Sequence, residues 1–581
     1  MFFNYKLLFL ITLNIYYLIL PVRTKTFSVS DYGAYSNDNI DDSKAIQETM
    51  DAAINYGFTS TVSFGSGIYN LSSTIQIMNA TNLTITGQGM DQTILIGNQP
   101  MILFSAGYCN GLIIRSLAID FDPLPFTAGT IVNTNDSYID IRVQPPHRTD
   151  VGRQVQNIFR FDPIAMRPAY GPNTFDMYQL PPTNVNTSIV VPGVLRIPMT
   201  YRTKLAVGDT IVLVFAPRLD TIVVHDSIDL TIQSVTLHTS WYMGLYTTRV
   251  KRTNIIDYHA KPNAEYWLSL NADCMHLSDS RESIHISDSK CELQGDDGLN
   301  VHAKYLGVSE IINSSAIMLS AFNSTGQIII GDGVDLEFTS HNQPFTTYTT
   351  AKIASSSFYS PTSTLFTFTS SINVSIGDYA CVADTPSLTI RNFTVERNRA
   401  RGILVETRNV DIRNSVFNHT SGAAFLFQPS LYYHEGPTGQ NVTLANNLYI
   451  NNNEGIGQFK GIISVIPYPP QLVPVINDIR IESSSFYFGN YSQGLVGSTN
   501  ANNVYITGNY IITNSSSPII SICNSRNITA SNNTVIDPQG TLEQYYKFDE
   551  AKPCQVNLSS LIDLPPSAFN SSFPPPVLSR N

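Results

Sequence analysis

Short segments with the character of β-strands recur along this chain at intervals of about 25 residues, a period typical of a solenoid. One interval runs from Asp229 to Asn254, and another runs from Ser387 to Asn409. In segments such as DLTIQSVTL and NVDIRNSVF, β-branched residues alternate with polar ones, which favours strands over helices. We therefore predict an all-β fold, a right-handed parallel β-helix. An array of β-sandwiches is the alternative.

Two stretches interrupt this repeat. Both contain strand-like runs joined by loops, which predicts β-barrel-like insertions that emerge from the coils. An amphipathic helix within residues 41–57 is expected to cap the open end of the solenoid core. The expected segments are 24–125 (N-terminal cap and first coils), 126–220 (first insertion), 221–307 (coils with the candidate acids), 308–385 (second insertion), 386–540 (C-terminal coils) and 541–581 (tail).

Residues 1–23 have the pattern of a secretory signal peptide. Lys6 precedes an apolar run over residues 7–20, which suits a signal sequence and is short for a membrane span. An uncleaved signal anchor is the alternative, and no later segment is apolar enough to span a bilayer. Asn-x-Ser/Thr sites such as Asn313 agree with a secreted or luminal glycoprotein. In an oxidising compartment some of the six cysteines should pair, and we expect Cys523 to pair with Cys554.

The charge balance excludes some partners. Charged residues make up only 14 % of the chain, and the formal net charge is −11. An acidic balance argues against binding to nucleic-acid phosphates. Because no C-x-x-C pair is present, a zinc ribbon or a thioredoxin-type site is also excluded. These features indicate a secreted β-rich protein and do not predict an oligomeric state.

Three acidic residues are the strongest candidates for catalysis. About one coil of chain separates Asp273 from Asp296, so adjacent coils should hold the two carboxylates side by side. Their side chains could diverge to the separation of about 6.5–9.5 Å that is typical of inverting glycosidases. Strand alternation would send Asp297 to the opposite face unless Gly295 and Gly298 permit a bulge. Neighbouring carboxylates repel, so one should keep its proton and act as an acid beside a base. A surface turn is the alternative.

The motifs around these acids resemble those of known carbohydrate enzymes. The opening FSVSDYGAYSNDNIDDSKAIQETMDAA is similar to that of right-handed β-helix enzymes of the pectate-lyase type, and an Asp followed one coil later by an Asp pair resembles polygalacturonases. The segments GDDGLNVH and RARGILV more closely resemble the exo-α-1,3-galactosidases of glycoside hydrolase family 110. The resemblance covers most of the chain after the signal. It implies inverting hydrolysis of terminal α-1,3-linked galactose on a carbohydrate substrate, without a metal or another cofactor.

The resemblance also implies roles for individual residues. Asp296 would be the general acid, and Asp273 and Asp297 would position and deprotonate the water, although these roles could be exchanged. For Trp241, a place in the core is the alternative to stacking on a sugar ring. The residues expected to contact the substrate or to brace the carboxylates are Asn300, His302, Arg399, Arg401, Glu435 and Trp241.

Two features leave other functions open. The family tends to have an aromatic pair followed by Glu before Gly-Pro, whereas LYYHEGPT has His434 in that place and Glu435 one residue later. In a strand, a shift of one residue would turn the side chain to the other face. His276 and His302 could also join the acids as calcium or zinc ligands, although no regular ligand spacing is present. The alternatives are therefore a polygalacturonase-like hydrolase, a pectate lyase and a catalytically inactive carbohydrate-binding β-helix.

Overall fold

The structure, a computed structural model, describes residues 23–177, 185–199, 205–263, 265–322, 328–455, 461–548 and 569–570. These residues are almost entirely β, and most strands belong to two long parallel sheets. All but Arg23 of the predicted signal peptide, and most of the predicted tail, residues 541–581, lie outside the described residues.

The larger parallel sheet has 21 strands and extends through all the coils. Ile228 lies beside Lys251, and Asn502 lies beside Arg526. The two members of each pair are one sequence repeat apart, which confirms the predicted parallel β-helix. The strands are Thr24–Ser28, Thr59–Ser63, Gly67–Leu71, Thr81–Thr86, Thr93–Gly97, Asn110–Phe121, Ile228–Leu237, Lys251–Ala260, Arg281–Glu292, Ser387–Glu396, Arg408–Arg413, Val416–Asn418, Gln440–Ala445, Leu448–Ile450, Ile476–Glu482, Ser485–Phe488, Ala501–Thr507, Tyr510–Thr513, Arg526–Ser531, Asn533–Ile536 and Phe569–Asn570.

A second sheet of 13 strands lines another side of the coils. All but one of its strands run parallel along one path, and the exception pairs antiparallel at the edge of the candidate site. The strands are Ile75–Met78, Phe104–Gly107, Ile222–His225, Leu245–Thr248, Met275–Ser278, Leu299–Lys304, Ile403–Val405, Phe425–Phe427, Glu435–Gly436, Ile463–Val465, Val496–Thr499, Ile520–Cys523 and Tyr546–Phe548.

One α-helix, α1 (Ser43–Asn55), packs against the first coils, as expected for a cap. Ile46, Met50 and Ala53 are buried on one face of α1 and belong to the same hydrophobic core as the coils. Two short 3₁₀ helices, Val29–Tyr32 and Gly171–Asn173, complete the helical structure of the described residues. The apolar face of α1 therefore closes one end of the solenoid core.

Two antiparallel units interrupt the coils, and they differ in closure. The first is an eight-stranded sheet that stays open among the described residues, whereas the second closes into a six-stranded barrel. The strands of the open sheet are Phe126–Thr134, Tyr138–Val143, Val155–Asp162, Arg167–Pro168, Asp176–Met177, Ser188–Val191, Val194–Pro198 and Thr210–Phe215. The strands of the closed barrel are Leu306–Asn313, Ala316–Ser320, Asp335–Ser340, Gln343–Ser360, Ser363–Phe368 and Tyr379–Val382.

Asparagine residues turn many corners of the coils. Asn409 and Asn441 have φ of 57° and 55°, a left-handed conformation that Asn tolerates better than most residues. Stacking brings their side chains together, and Asn441 Nδ2 donates a hydrogen bond to Asn409 Oδ1 at 2.8 Å. Asn527 donates to Asn503 in the same way at 3.1 Å. The Asn-rich segment ends thus encode both the corners and the contacts between successive coils.

The expectation that Trp241 stacks on a sugar is wrong. Its side chain is fully buried in the main hydrophobic core, where the guanidinium of Arg153 lies 5.6 Å from the ring centroid. Its carbonyl oxygen accepts a hydrogen bond from Asn271, so the residue is fixed on the inside of the coil. Trp241 therefore stabilises the solenoid core, which was the alternative interpretation.

A disulfide joins Cys274 to Cys291, with a Cα–Cα distance of 6.0 Å. It connects the residue next to Asp273 with the long strand that leads to the other two acids. Cys109 and Cys381 are buried free thiols. The expected pairing of Cys523 with Cys554 involves Cys554, which lies outside the described residues.

Candidate active site

Neighbouring strands of the 13-stranded sheet position the candidate acids. The strands that form the site are β1 (Leu245–Thr248), β2 (Met275–Ser278), β3 (Leu299–Lys304), β4 (Ile403–Val405) and β5 (Glu435–Gly436). Asp273 precedes β2, and the pair Asp296–Asp297 precedes β3. Because β2 and β3 are parallel and in register, with His276 beside Asn300, stacking brings the acids together.

The three acids form one buried cluster, which we call the acid cluster: Asp273, Asp296 and Asp297. One oxygen from each lies within 4.8 Å of the others, and the residues are 5 %, 7 % and 1 % exposed. The expected divergence to about 6.5–9.5 Å is therefore wrong for these carboxylates. The side chains converge because the next coil binds two of them through arginine side chains.

A bend brings Asp296 and Asp297 to the same side of the coil. The chain is irregular from residue 294 until β3 begins, so strand alternation does not apply to the pair. A Cβ atom on Gly295 would lie 2.5 Å from the carbonyl oxygen of Asn271, and one on Gly298 would lie 2.6 Å from that of Gly402. Both glycines are therefore required by the close approach of backbone between coils.

Arg399 and Arg401 carry the positive charge beside the acid cluster. Arg401 Nε lies 2.6 Å from Asp297 Oδ1, and its Nη2 lies 2.9 Å from Asp297 Oδ2. Arg401 Nη2 and Arg399 Nη1 also lie 3.4 and 3.2 Å from Asp296 Oδ1. Both arginines precede β4, which pairs with β3, so the next coil supplies them. These are the bracing contacts that were one of the two roles expected for them.

Burial and mutual repulsion keep a proton on the acid cluster. Burial, and then the charge of Asp296, raise the pKa of Asp273 well above its ordinary value. Burial also raises the pKa of Asp297 to about 8, against the opposing charge of Arg401. Arg401 opposes protonation of Asp297 through contacts to both of its oxygens, and the coupled carboxylates share the retained proton as a group. The cluster therefore combines an acid with a base.

Two buried histidines continue from Asp273. His276 Nδ1 lies 2.8 Å from Asp273 Oδ2, and His276 Nε2 lies 2.9 Å from His302 Nε2. His302 Nδ1 lies 3.1 Å from the carbonyl oxygen of Ala303, which can only accept. Burial lowers the pKa of His276 to about 4 and also lowers the pKa of His302. His302 must therefore donate from Nδ1 and accept at Nε2, so His276 donates from Nε2 and accepts at Nδ1. The proton in the remaining hydrogen bond, between His276 and Asp273, then comes from Asp273.

Glu435 reaches the site despite the shift in LYYHEGPT. Strand β5 pairs antiparallel with β3, which places Glu435 beside Lys304, and Glu435 Oε1 lies 3.8 Å from His302 Nε2. His434 adopts a left-handed φ of 61° and stacks on Phe322 at 4.6 Å between ring centroids. The local turn at His434 thus directs Glu435 toward the histidines.

A cleft of 620 Å³ opens beside the acid cluster, between the coils and the closed barrel. His276, His302 and Glu435 line this cleft. The three aspartates are not among its lining residues and adjoin it through His276. Tyr433 also lines the cleft. Burial raises the pKa of Tyr433, the charge of Arg401 opposes this shift, and the charge of Asp296 adds to it. The acid cluster therefore lies at one end of a cavity large enough for sugar units.

Sequence reasoning missed the link through His276 and a group of exposed tyrosines. Tyr432 lies 4.8 Å from Tyr433 and 5.9 Å from Tyr468, measured between ring centroids. The aromatic pair in LYYHEGPT was the signal that could have identified them. Asn300 was predicted, and it lies on β3 with a buried Oδ1 that has no hydrogen-bond partner among the described residues. Asn300 does not line the cleft, so its expected contact with the substrate stays a prediction.

The oxygens of the acid cluster are close enough to one another to share a cation. Arg401 already places a guanidinium against both oxygens of Asp297. A second positive charge at the same oxygens would be opposed by this arginine. The absence of a metal in the reaction stays a prediction.

Comparison with known proteins agrees with this description. A family model described as "Rhamnogalacturonase A/epimerase, pectate lyase-like" matches residues 26–111. The chain is 22 % identical to alpha-1,3-galactosidase A of Shewanella woodyi, over 85 % of this chain and 87 % of that protein. It is 24 % identical to alpha-1,3-galactosidase B of Bacteroides thetaiotaomicron, over 81 % of this chain and 83 % of that protein. The chain is thus a pectate-lyase-like β-helix protein that is similar, over most of its length, to proteins named alpha-1,3-galactosidase.

Proposed function

We propose that this protein is a secreted, inverting exo-α-1,3-galactosidase that acts without a metal or another cofactor. The observation that carries the proposal is the acid cluster of Asp273, Asp296 and Asp297, braced by Arg401 beside an open cleft. Hydrolysis of a glycoside needs an acid for the leaving oxygen and a base for the water. This cluster supplies both, and similarity to proteins named alpha-1,3-galactosidase supports the choice of galactose and linkage.

Asp296 donates the proton to the glycosidic oxygen in this mechanism, and Asp273 and Asp297 hold the attacking water. Two O–H···O bonds of about 2.8 Å from one water span about 4.5 Å between their acceptors. The oxygens of the acid cluster lie within 4.8 Å of one another, so two of them can hold one water. The short separation therefore suits a water that is bridged by two carboxylates.

The proton on Asp273 matches the state that this mechanism leaves after a turnover. Asp296 gives its proton to the leaving hydroxyl, and Asp273 takes one from the attacking water. Asp273 is then protonated, in line with its raised pKa, and Asp296 has given up its proton beside Arg399 and Arg401. Return of the proton from Asp273 to Asp296 restores the acid. Asp273 therefore holds a proton between turnovers. It becomes the base once this proton has returned to Asp296.

These roles can be tested with leaving groups of different basicity. A leaving group that departs as a stable anion needs little protonation, so a variant that lacks the general acid keeps much of its activity on such a substrate. Asp296→Asn should therefore lose far less activity on a nitrophenyl α-galactoside than on an α-1,3-galactobioside. Asp273→Asn should lose activity equally on both. The opposite pattern would exchange the two roles.

Secretion is supported by the disulfide between Cys274 and Cys291, because such bonds persist in oxidising compartments. The helices of the described residues include none that is long and apolar enough to cross a membrane. Expression of the full chain in a eukaryotic host, followed by N-terminal sequencing of protein from the medium, tests the signal peptide. Protein retained on the membrane with residues 1–23 attached would contradict it.

A release assay tests the substrate. The purified protein is given galactosyl disaccharides with α-1,3, α-1,4, α-1,6 and β-1,3 linkages, together with polygalacturonate. Galactose should be released from the α-1,3-linked disaccharide at least tenfold faster than from the others. Release of galacturonate instead would favour a polygalacturonase-like enzyme. Tight binding of galactosides by folded protein without any release would favour an inactive binding protein.

A further inference from the structure

Arg281 lies where the catalytic cleft meets a second groove. It lines both the 620 Å³ cleft and a neighbouring cavity of 450 Å³. Within the described part of the chain its guanidinium forms neither an ion pair nor a hydrogen bond, whereas Arg249 in the same cleft binds Asp226 at 2.6 and 2.8 Å. A guanidinium has five N–H donors, so Arg281 presents them to the cavity.

Two more cations belong to the same wall of the cleft. Arg249 follows β1 and Lys304 ends β3, so both sit at the C-terminal ends of strands, as Arg281 follows β2. Lys304 is exposed and forms no ion pair within the described residues. The acidic side chains that face these cations are Asp279 and Glu435 in the cleft, Asp226 on Arg249, and Asp332, Asp335 and Asp384 in the second groove.

These acids leave Arg281 and Lys304 available. In the second groove Asp335 binds Lys352 at 2.9 Å, and Asp384 acts on Arg281 through its charge without a hydrogen bond or an ion pair among the described residues. Asp279 accepts hydrogen bonds from the backbone N–H of Lys304 at 3.0 Å and from Ser278 Oγ at 3.2 Å. Glu435 lies toward the other end of the cleft, 3.8 Å from His302. Asp226 is occupied by Arg249. The C-terminal end of β2 and β3 therefore carries two cations without a direct carboxylate partner among the described residues.

The opposite wall of the cleft is apolar and comes from the closed barrel and the segment between its strands. Phe322 and Ile329 line the cleft and are 42 % and 39 % exposed. Exposed aromatic and aliphatic side chains of this kind pack against the apolar face of a sugar ring. A ligand that fits both walls has a ring with an apolar face and a negatively charged substituent.

The cationic end is separated from the acid cluster by the length of a strand. Asp273 precedes β2 and Arg281 follows it, and the four residues of β2 alone span about 13 Å at about 3.3 Å per residue. This distance exceeds one sugar unit. A sugar held at Arg281 therefore lies beyond the bond that the acid cluster would cleave, in the part of the substrate that leaves.

We propose that this end of the cleft is a subsite for an acidic sugar, one that carries a carboxylate or a sulfate group, in the leaving part of the substrate. The inference rests on the proposed galactosidase function and specifies the class of its substrate. The guanidinium of Arg281 binds the planar or tetrahedral oxyanion through two N–H groups, and Lys304 adds a second charge. The ring of the acidic sugar lies on the apolar wall that includes Phe322.

The test compares α-1,3-galactosyl oligosaccharides that differ only in the second sugar, which is neutral, carboxylated or sulfated. The wild-type protein should show a kcat/KM about tenfold higher for a charged than for the neutral substrate, as a charged hydrogen bond allows. The preference should weaken as NaCl is raised. Comparison of kcat/KM for the carboxylated and the sulfated substrate identifies which anion the subsite binds.

Variants of the two cations make the test specific. Arg281→Gln and, separately, Lys304→Gln should lower the charged-to-neutral ratio of kcat/KM, mainly through KM. Arg252→Gln is the matched control, because Arg252 binds Asp229 outside the cleft. Equal hydrolysis of charged and neutral substrates by the wild type, or an equal loss on all substrates in both variants, would overturn the inference.

These experiments distinguish failure of the acidic subsite from failure of the proposed galactosidase function. If the neutral substrate is cleaved and no preference appears, the galactosidase stands and the acidic subsite is wrong. If no galactoside is cleaved, the proposed function is wrong, and calorimetry with the sulfated and carboxylated oligosaccharides tests the subsite alone. Wild-type binding that weakens about tenfold in Arg281→Gln supports it, and equal binding overturns it.

Discussion

Asp273 and His276 share a hydrogen bond of 2.8 Å, and His276 is the residue through which the acid cluster adjoins the cleft. Burial lowers the pKa of His276 to about 4, so its ring is neutral at neutral pH. A neutral ring that donates to His302 accepts at Nδ1, which favours the protonated form of Asp273. The hydrogen bond from Asp273 to His276 therefore stabilises the protonated form of Asp273.

Replacement of His276 should make the protonated form of Asp273 less stable. His276→Phe removes the acceptor, and we expect kcat to fall about 10²-fold, with loss of activity at a lower pH than in the wild type. His276→Gln keeps one hydrogen-bonding group and should lose only about tenfold. The pH profile of kcat/KM is the measurement. His259→Gln is the control, because His259 pairs with Asp257 at 3.2 Å and does not line the cleft. Unchanged kcat and pH profile in His276→Phe would contradict the account.

Loss of any carboxylate in the acid cluster should nearly abolish hydrolysis of α-1,3-galactobiose, whose leaving group needs a proton. Asn keeps the shape of Asp but cannot exchange a proton, so Asp273→Asn, Asp296→Asn and Asp297→Asn should each lower kcat on this substrate at least about 10²-fold. Thermal unfolding shows whether each variant is folded. Asp220→Asn is the control for a half-buried aspartate, since Asp220 accepts a hydrogen bond from the backbone N–H of Met243 and lies outside the cluster. A cluster variant with near-normal turnover would remove that residue from the mechanism.

Stability should fall as the pH rises through the titration of the acid cluster. A carboxyl whose pKa is raised on folding binds its proton more tightly in the folded state, so its contribution is complete below the unfolded pKa and is lost as pH rises. For Asp297 this loss runs from the unfolded pKa of about 4 up to the folded pKa of about 8, and the pKa of Asp273 shifts in the same direction. Denaturant unfolding between pH 5 and 8 should show a smaller loss in Asp273→Asn than in the wild type. Equal slopes for the two proteins would be inconsistent with a buried, protonated cluster.

His276 should make stability fall as the pH is lowered below about 6.5. The pKa of His276 is lowered to about 4, so its contribution is present above the unfolded value of about 6.5 and is lost as pH falls toward 4. His276→Gln should lose less stability than the wild type between pH 6.5 and 4, measured by the same unfolding series. A steeper loss in the variant would show that His276 is charged in the folded state.

The disulfide between Cys274 and Cys291 should stabilise the site as well as the fold. Removal of a native disulfide typically costs about 2–5 kcal/mol. Cys274→Ser combined with Cys291→Ser should lower the free energy of unfolding by about this amount and should lower kcat, because Cys274 adjoins Asp273. Cys109→Ser, which changes a buried free thiol, is the control. Wild-type stability in the double variant would show that packing alone holds the coil.

The sequence predicted the features that follow from the repeat. Asp273 and Asp296 were expected side by side because their spacing is close to one coil. The observed register confirms that β2 stacks on β3, but its offset, with Met275 beside Leu299, matches Asp273 with Asp297 rather than with Asp296. The alternation of apolar and polar residues predicted the two parallel sheets, and the amphipathic segment predicted α1. These are local or periodic signals, which a single sequence contains.

The features that sequence did not predict depend on contacts between distant residues. The convergence of the acid cluster depends on Arg401, which lies far along the chain from both Asp296 and Asp297 and binds them from the next coil. The partner of Cys274 could not be chosen among six cysteines, and the burial of Trp241 depends on the first insertion and its Arg153. Such contacts are fixed by how insertions and coils meet, which the repeat alone does not specify.

The central claim is that this chain cleaves terminal α-1,3-linked galactose with inversion. Proton NMR of α-1,3-galactobiose, recorded from the first minutes of reaction and before mutarotation, reports both the cleavage and the anomer that forms first. The account predicts initial β-galactose from the wild type, and no signal above background from Asp296→Asn over the same period. Initial α-galactose, or no galactose from folded wild-type protein, would contradict it.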